Sequence, residues 1–152
     1  MVLFYALLAT PYFDGLFYGY LEINAHLSSS ILNVLGQSTQ VSGLTIQSSQ
    51  FSVAIERGCD AVEPTWLVLA AVLSYHARFI HKVFGILAGA VILQLLNLIR
   101  IITLYWIGLH LPAAFNTVHM EIWPAIFILS AVVLFVYWRD WTSNREEMNA
   151  AA

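Results

Sequence analysis

Three residue types in this chain could together perform acyl transfer. Cys59 is the only cysteine among 152 residues, so it cannot form an intrachain disulfide. A helix N-terminus or a nearby cation lowers the pKa of a cysteine thiol, and Cys59 precedes a long apolar run with Arg57 close by. Arg100 and His119 lie in later apolar runs. These residues suggest an activated thiol with a cation and an imidazole as partners.

Each side chain has a predicted role. Cys59 is the nucleophile, His119 is the proton shuttle, and Arg100 stabilises the thiolate or an oxyanion. We expect His119 in the first turn of a helix capped by Asn116 or Thr117, where the helix dipole favours the neutral imidazole of a base.

Two further polar residues are predicted to support this site. Asn97 lies one helical turn before Arg100 on the same face, which an arginine that merely reaches for lipid headgroups does not need. Glu56 could join the site through Arg57 or Arg100.

Other assignments of the same chemistry stay open. His110, in a short outer loop, is an alternative proton shuttle to His119. A different enzyme would use His119 with Glu121 or Glu63 as acid and base and would leave Cys59 structural.

A non-enzymatic alternative also exists. The chain could be a membrane assembly factor or a small transporter subunit in which Asn97 and Arg100 bind a lipid or a partner helix. The histidines and Cys59 show no metal-ligand spacing, so neither a metal nor another cofactor is predicted.

The composition is that of an integral membrane protein. Hydrophobic residues make up 60% and charged residues 10% of the chain, and the mean hydropathy is +0.76. A soluble domain has about 25% charged residues. The net charge of −3 does not indicate a nucleic-acid partner.

Hydropathy predicts an all-α membrane bundle of one domain, residues 1–152, with about four transmembrane helices, an outer amphipathic helix and a small β-hairpin. The predicted elements are a partial first span 1–13, an interfacial helix 14–36, an outer hairpin 41–57, spans 61–77, 83–109 and 117–138, and a cytoplasmic tail 139–152.

The positive charges predict the orientation. Four of the six Lys and Arg residues flank one set of span ends, which the positive-inside rule assigns to the cytoplasm. They are Arg78, Lys82, Arg139 and Arg145. The hairpin and Cys59 are therefore predicted to lie outside.

Counting from these anchors predicts a shared depth for the three site residues. Cys59 is 19 residues before Arg78, Arg100 is 18 after Lys82, and His119 is 20 before Arg139. At about 1.5 Å per residue, all three lie about 27 to 30 Å from the inner surface.

These residues also carry a family likeness. The chain resembles the exosortases and archaeosortases in the order of its motifs. An outer hairpin is followed by Glu56-x-x-Cys59, then by Asn97-x-x-Arg100 and then by His119. The likeness extends from about residue 15 to 138. The segments Gly58-Cys59-Asp60-Ala61-Val62-Glu63 and Asn97-Leu98-Ile99-Arg100-Ile101 look most like the short subgroup called exosortase H, which is associated with tags of the IPTLxxWG type.

The resemblance implies a multi-pass cysteine protease or transpeptidase with Cys59, Arg100 and His119 as its catalytic set. The implied partners are exported proteins whose C-terminal tag has a short motif, a transmembrane span and a basic tail. The implied location is the bacterial inner membrane, with the site on the extracytoplasmic side. Two features depart from the larger members: their additional N-terminal spans are absent, and Asp60 stands where they often carry Ser.

Overall fold

The computed structural model describes residues 11–55 and 61–150. These residues form mainly helices with one small sheet, as the sequence predicted. The elements are α1 Pro11–Val34, β1 Gln40–Ser42, β2 Thr45–Gln47, β3 Ser52–Ala54, α2 Val62–Ser74, α3 Phe79–His110, α4 Pro112–Thr117, a π-helical turn Val118–Ile122, and α5 Trp123–Ala150.

Two of the described helical segments are long and apolar enough to cross a membrane. They are α3, with 32 residues, and the continuous segment Pro112–Met148, with 37 residues. Helix α2 has 13 residues and is therefore about 20 Å long, short of the roughly 30 Å hydrocarbon layer. Two membrane helices are thus supported, and four crossings remain a prediction.

One face of α3 consists of exposed apolar side chains. They recur every three or four residues at Phe84, Leu87, Val91, Leu95 and Ile99. A continuous apolar face is unfavourable in water but matches lipid. This face supports a membrane location for the helix.

The turn between the two long helices differs from the prediction. Leu111 alone separates α3 from α4, so His110 is the last residue of a helix and does not lie in a loop. The next helix starts at Pro112 and not near Thr117. Pro112 suits this position because proline fixes a helical φ and the first turn needs no N–H donor from it.

The predicted hairpin is part of a three-stranded antiparallel sheet in the order β1-β2-β3. The alternation around Ile46 and Val53 correctly indicated the β2–β3 pair. Strand β1 was not predicted as a separate strand. It contains a single apolar residue, Val41, which pairs with Ile46. Gly43, with φ of 59°, makes the turn between β1 and β2.

Helix α1 buries a face of small and polar residues. Asn24, Ala25 and Ser28 are fully buried, while Ile23 and Leu27 are exposed. Gly36 follows the end of the helix by two residues, and its φ of 86° allows the Gln37 N–H to bond back to the Leu32 carbonyl at 2.9 Å.

Helix α3 separates two hydrophobic cores. One core joins α3 to α2 and α5 and includes Leu93, Phe127 and Trp138. The other joins α3 to α1 and the sheet and includes Ile101 and Tyr105. The polar residues of α3 therefore lie at the junction of both halves of the fold.

Candidate active site

The structure describes three of the five predicted site residues. Asn97 and Arg100 lie on α3, and His119 lies in the π-helical turn. Cys59 and Glu56 fall within residues 56–60, which are outside the described residues. The described part of the site consists of Asn97, Arg100, His119 and their neighbours.

Arg100 is a buried cation. Its exposed fraction is 4%, and its guanidinium carbon lies 5.6 Å from the centroid of the Phe127 ring on α5. Side chains lean toward the N-terminus of their helix. Because α3 and α5 run in opposite directions, Arg100 and Phe127 lean toward each other. The aromatic face offsets part of the cost of a cation in an apolar bundle.

Arg100 also lines a pocket of 410 Å³ between α2 and α5. We call this pocket the Arg100 groove. Its other lining residues are Glu63, Pro64 and Leu67 from α2 and Pro124, Phe127 and Ile128 from α5. A substrate in this groove would meet mainly hydrocarbon walls, the Arg100 guanidinium and the exposed Glu63 carboxylate.

One turn along α3 from Arg100, a hydrogen-bonded amide network joins α3 to α1. Gln94 Nε2 donates to Asn24 Oδ1 at 2.5 Å, and Asn97 Nδ2 donates to the same oxygen at 3.4 Å. The Tyr20 hydroxyl donates to Gln94 Oε1 at 2.6 Å. Asn24 and Asn97 are both fully buried. Asn97 thus holds the Arg100-bearing helix against α1.

Gln94, Asn24 and Tyr20 were not among the predicted site residues. A signal for them exists in the sequence, because Gln94, Asn97 and Arg100 recur every three residues within an apolar run. Such spacing puts them on one helix face, and buried polar residues in a membrane helix usually have partners.

His119 lies deeper in its helix than predicted. Helical structure is continuous from Pro112, and Thr117 has helical dihedrals of −62° and −45° with no side-chain cap hydrogen bond. The predicted N-cap at Asn116 or Thr117 is therefore wrong. The helix dipole does not favour a neutral imidazole at this position, because its effect fades beyond the first turn.

Instead, His119 occupies a π-helical turn, in which the Trp123 N–H bonds to the Val118 carbonyl five residues earlier. Pro124 explains this turn. Proline has no N–H, and its ring clashes with the carbonyl four residues before it, which is that of Met120. A π turn accommodates the conflict and is frequent at functional sites.

The π turn changes the direction in which His119 faces. In a regular helix, His119 and Phe127 would differ by about 80° around the axis, since each residue adds about 100°. One inserted residue removes about 100° and leaves about 20°. His119 is therefore brought toward the face that carries Phe127, the ring beneath Arg100. The half-buried imidazole packs edge-on against Phe115, 5.6 Å between ring centroids.

Arg100 and His119 also lie at similar heights. The Trp138 indole donates a 2.9 Å hydrogen bond to the His81 carbonyl, which ties α5 to the start of α3. Arg100 follows His81 by 19 residues, and His119 precedes Trp138 by 19 residues. Each Cα is therefore about 28 Å along its helix from this bond.

The rival residues are exposed. His110 stacks on Trp106 with 5.2 Å between ring centroids, and it lies about 15 Å beyond Arg100 on the same helix. Glu121 and Glu63 are also exposed. Glu121 is two residues from His119, a spacing at which helical side chains do not face each other.

The fold and this site define a membrane-embedded helical protein with a buried cation at a lateral groove. The family model described as Transmembrane exosortase (Exosortase_EpsH) matches residues 1–139. The chain therefore belongs to the exosortase family, whose members are membrane-embedded transpeptidases and proteases that act on exported proteins with C-terminal sorting signals. Searches of curated proteins and of solved structures gave no significant match.

Proposed function

We propose that this chain is a bacterial inner-membrane cysteine protease or transpeptidase that cleaves C-terminal sorting signals at the outer face of the membrane. The family match over residues 1–139 is the observation that carries the proposal. The motifs around Cys59 and Arg100 further favour the exosortase H subgroup and tags of the IPTLxxWG type. The proposed topology has four crossings, with the Arg78 side cytoplasmic.

The proposed reaction has two steps. The Cys59 thiolate attacks the carbonyl carbon of the scissile peptide bond, and Arg100 stabilises the oxyanion of the tetrahedral intermediate. The C–N bond then breaks, His119 gives the leaving amine the proton that it took from the Cys59 thiol, and a thioester remains on Cys59. An amine, a glycan-linked acceptor or water attacks the thioester and frees the thiol.

The geometry of the described residues supports Arg100 and His119 in these roles. Arg100 is buried beside a groove that a peptide can enter, which suits an electrostatic stabiliser shielded from water. The π turn directs His119 toward the same side of α5. By contrast, His110 is exposed about 15 Å further along α3, which supports His119 over His110 as proton shuttle.

The amide network weighs against the non-enzymatic alternative. In that alternative Asn97 would bind a lipid or a partner helix. Its Nδ2 instead donates to Asn24 within this chain, and full burial keeps Asn97 from an external partner.

The test is co-expression with an exported protein that carries a C-terminal tag, a transmembrane span and a basic tail. Cys59→Ala, Arg100→Ala and His119→Ala should each abolish processing while the protein inserts normally. His110→Ala and Glu121→Gln serve as controls and should process at near the parental rate. Processing by an inserted Cys59→Ala protein would contradict the proposal. If His110→Ala abolishes processing and His119→Ala does not, the proton shuttle is His110 and not His119.

A further inference from the structure

Among the pockets that α2 lines in the described part of the chain, two differ in polar character. The Arg100 groove lies between α2 and α5. On the other side, a pocket of 540 Å³ lies between α2 and α3 and is lined in part by Thr65, Leu69, Val91 and Gln94. We call it the Gln94 groove. Either could receive a helix from the membrane, so the choice depends on what each groove offers a peptide.

The polar groups of the Gln94 groove are engaged within the protein. Gln94 bonds to Tyr20 and Asn24, and the Thr65 hydroxyl donates to the Ala61 carbonyl at 2.6 Å. The remaining surface is almost entirely hydrocarbon. This groove matches a lipid acyl chain, which needs no hydrogen-bond partner.

The Arg100 groove combines apolar walls with two charged side chains, Arg100 and Glu63. Leu67 is 49% and Ile128 60% exposed, so the groove is accessible from the lipid. Arg100 supplies guanidinium N–H groups, which can only donate and which suit carbonyl or carboxylate oxygens. A non-helical peptide within a membrane must find such partners for its backbone. The volume of 410 Å³ falls within the range of about 300–1,000 Å³ for ligand sites.

We infer that the membrane-anchored substrate docks laterally between α2 and α5. The extended segment at the outer end of its anchor lies in the Arg100 groove, and a backbone carbonyl of that segment accepts from Arg100. Glu63 and Pro64, which line this groove, belong to the first turn of α2, and this helix begins three residues after Cys59 in the sequence. The Gln94 groove remains filled by lipid. This inference rests on the proposed function for the identity of the substrate.

Site-specific photo-cross-linking tests this assignment. A benzoylphenylalanine is placed at Leu67 or Ile128 in the Arg100 groove, or at Leu69 or Val91 in the Gln94 groove, in full-length Cys59→Ala protein that retains uncleaved tagged substrate. We expect adducts between the first two positions and the segment next to the substrate's anchor, and lipid adducts from the other two. Substrate adducts mainly from Leu69 and Val91, or lipid adducts alone from Leu67 and Ile128, would overturn the inference.

Groove-filling variants give an independent readout in protein with Cys59 intact. Leu67→Trp should slow processing about tenfold because it occupies the docking space, whereas Leu69→Trp should change the rate less than about twofold. Equal slowing by both would contradict the assignment. If the parental protein processes no tagged substrate, the proposed function fails. Processing with cross-links only from the Gln94 groove refutes the docking route alone.

Discussion

The guanidinium of Arg100 lies over the ring of Phe127, 5.6 Å from its centroid. Both residues are 4% exposed, so the contact is shielded from water, where a cation–π interaction is worth most. Phe127 also lies on the helix face toward which the π turn directs His119. Phe127 therefore marks the side of α5 that Arg100 contacts and toward which His119 is turned.

Loss of the Phe127 ring should weaken the Arg100 site. In Phe127→Leu we expect processing to fall about two- to thirtyfold, because a cation–π contact contributes about 0.5–2 kcal/mol. Phe127→Tyr keeps the aromatic face and should retain most of the activity. The measurement is the initial rate of tag cleavage at matched protein levels. Equal rates for Leu and Tyr variants would show that the ring does not act through Arg100.

Removal of Pro124 should separate stability from activity. Pro124→Ala restores an N–H donor, so we expect the π turn to become regular helix and the thermal unfolding temperature to stay equal or rise. His119 would then rotate about 100° away from Phe127, and processing should fall about 10²-fold. Pro112→Ala, at a helix start, is the control and should leave the π turn and processing unchanged. An active Pro124→Ala protein would contradict the positioning role of the π turn.

The amide network should stabilise the junction of α1 and α3. Asn24→Leu removes the acceptor shared by Gln94 and Asn97 and should lower the free energy of unfolding in detergent by about 1–2 kcal/mol. Ser30→Ala, which removes a hydroxyl bonded to the His26 carbonyl on the exposed side of α1, should change it by less than about 0.5 kcal/mol. Similar losses in both variants would argue against a specific interhelical role.

Gly108 provides the space in which the sheet meets α3. A Cβ at this position would overlap the Phe51 ring, so Gly108→Ala should destabilise the fold by about 1–3 kcal/mol. Gly19→Ala meets no atom within 4 Å and should be neutral or slightly stabilising. Adding Phe51→Leu should recover part of the Gly108→Ala loss in the same unfolding assay. If the double variant recovers no stability, the loss in Gly108→Ala does not come from overlap with the Phe51 ring.

The reactivity of Cys59 can be measured directly. An impermeant maleimide added outside intact cells should label Cys59 rapidly at pH values well below about 8.5, the usual pKa of a thiol, if a cation stabilises the thiolate. In Arg100→Ala, labelling should shift toward higher pH, while Arg78→Ala on the predicted cytoplasmic side should have no effect. Slow labelling that rises only near pH 8.5 in the parental protein would contradict an activated thiolate.

The alternation of polar and apolar residues predicted the hairpin correctly, because the period of a strand is visible in neighbouring residues. The apolar pattern misplaced the start of the last helix because it carries no information on Pro112, which favours the first position of a helix. Pro124 lies inside the predicted span 117–138 and was the available signal for a helix irregularity. The interfacial prediction for 14–36 rested on its scattered polar residues, of which Asn24 and Ser28 are buried.

The sequence by itself determined the class of the molecule. Its 60% hydrophobic content indicates a membrane protein, and the residue types at Cys59, Arg100 and His119 are the basis for proposing thiol chemistry, because residue types and hydropathy do not depend on the fold. Only the tertiary structure decided how the described residues meet. Asn24 bonds to Gln94 across 70 residues, and Arg100 reaches Phe127 on another helix, because such contacts depend on which faces pack together and on the rotation that one π turn introduces.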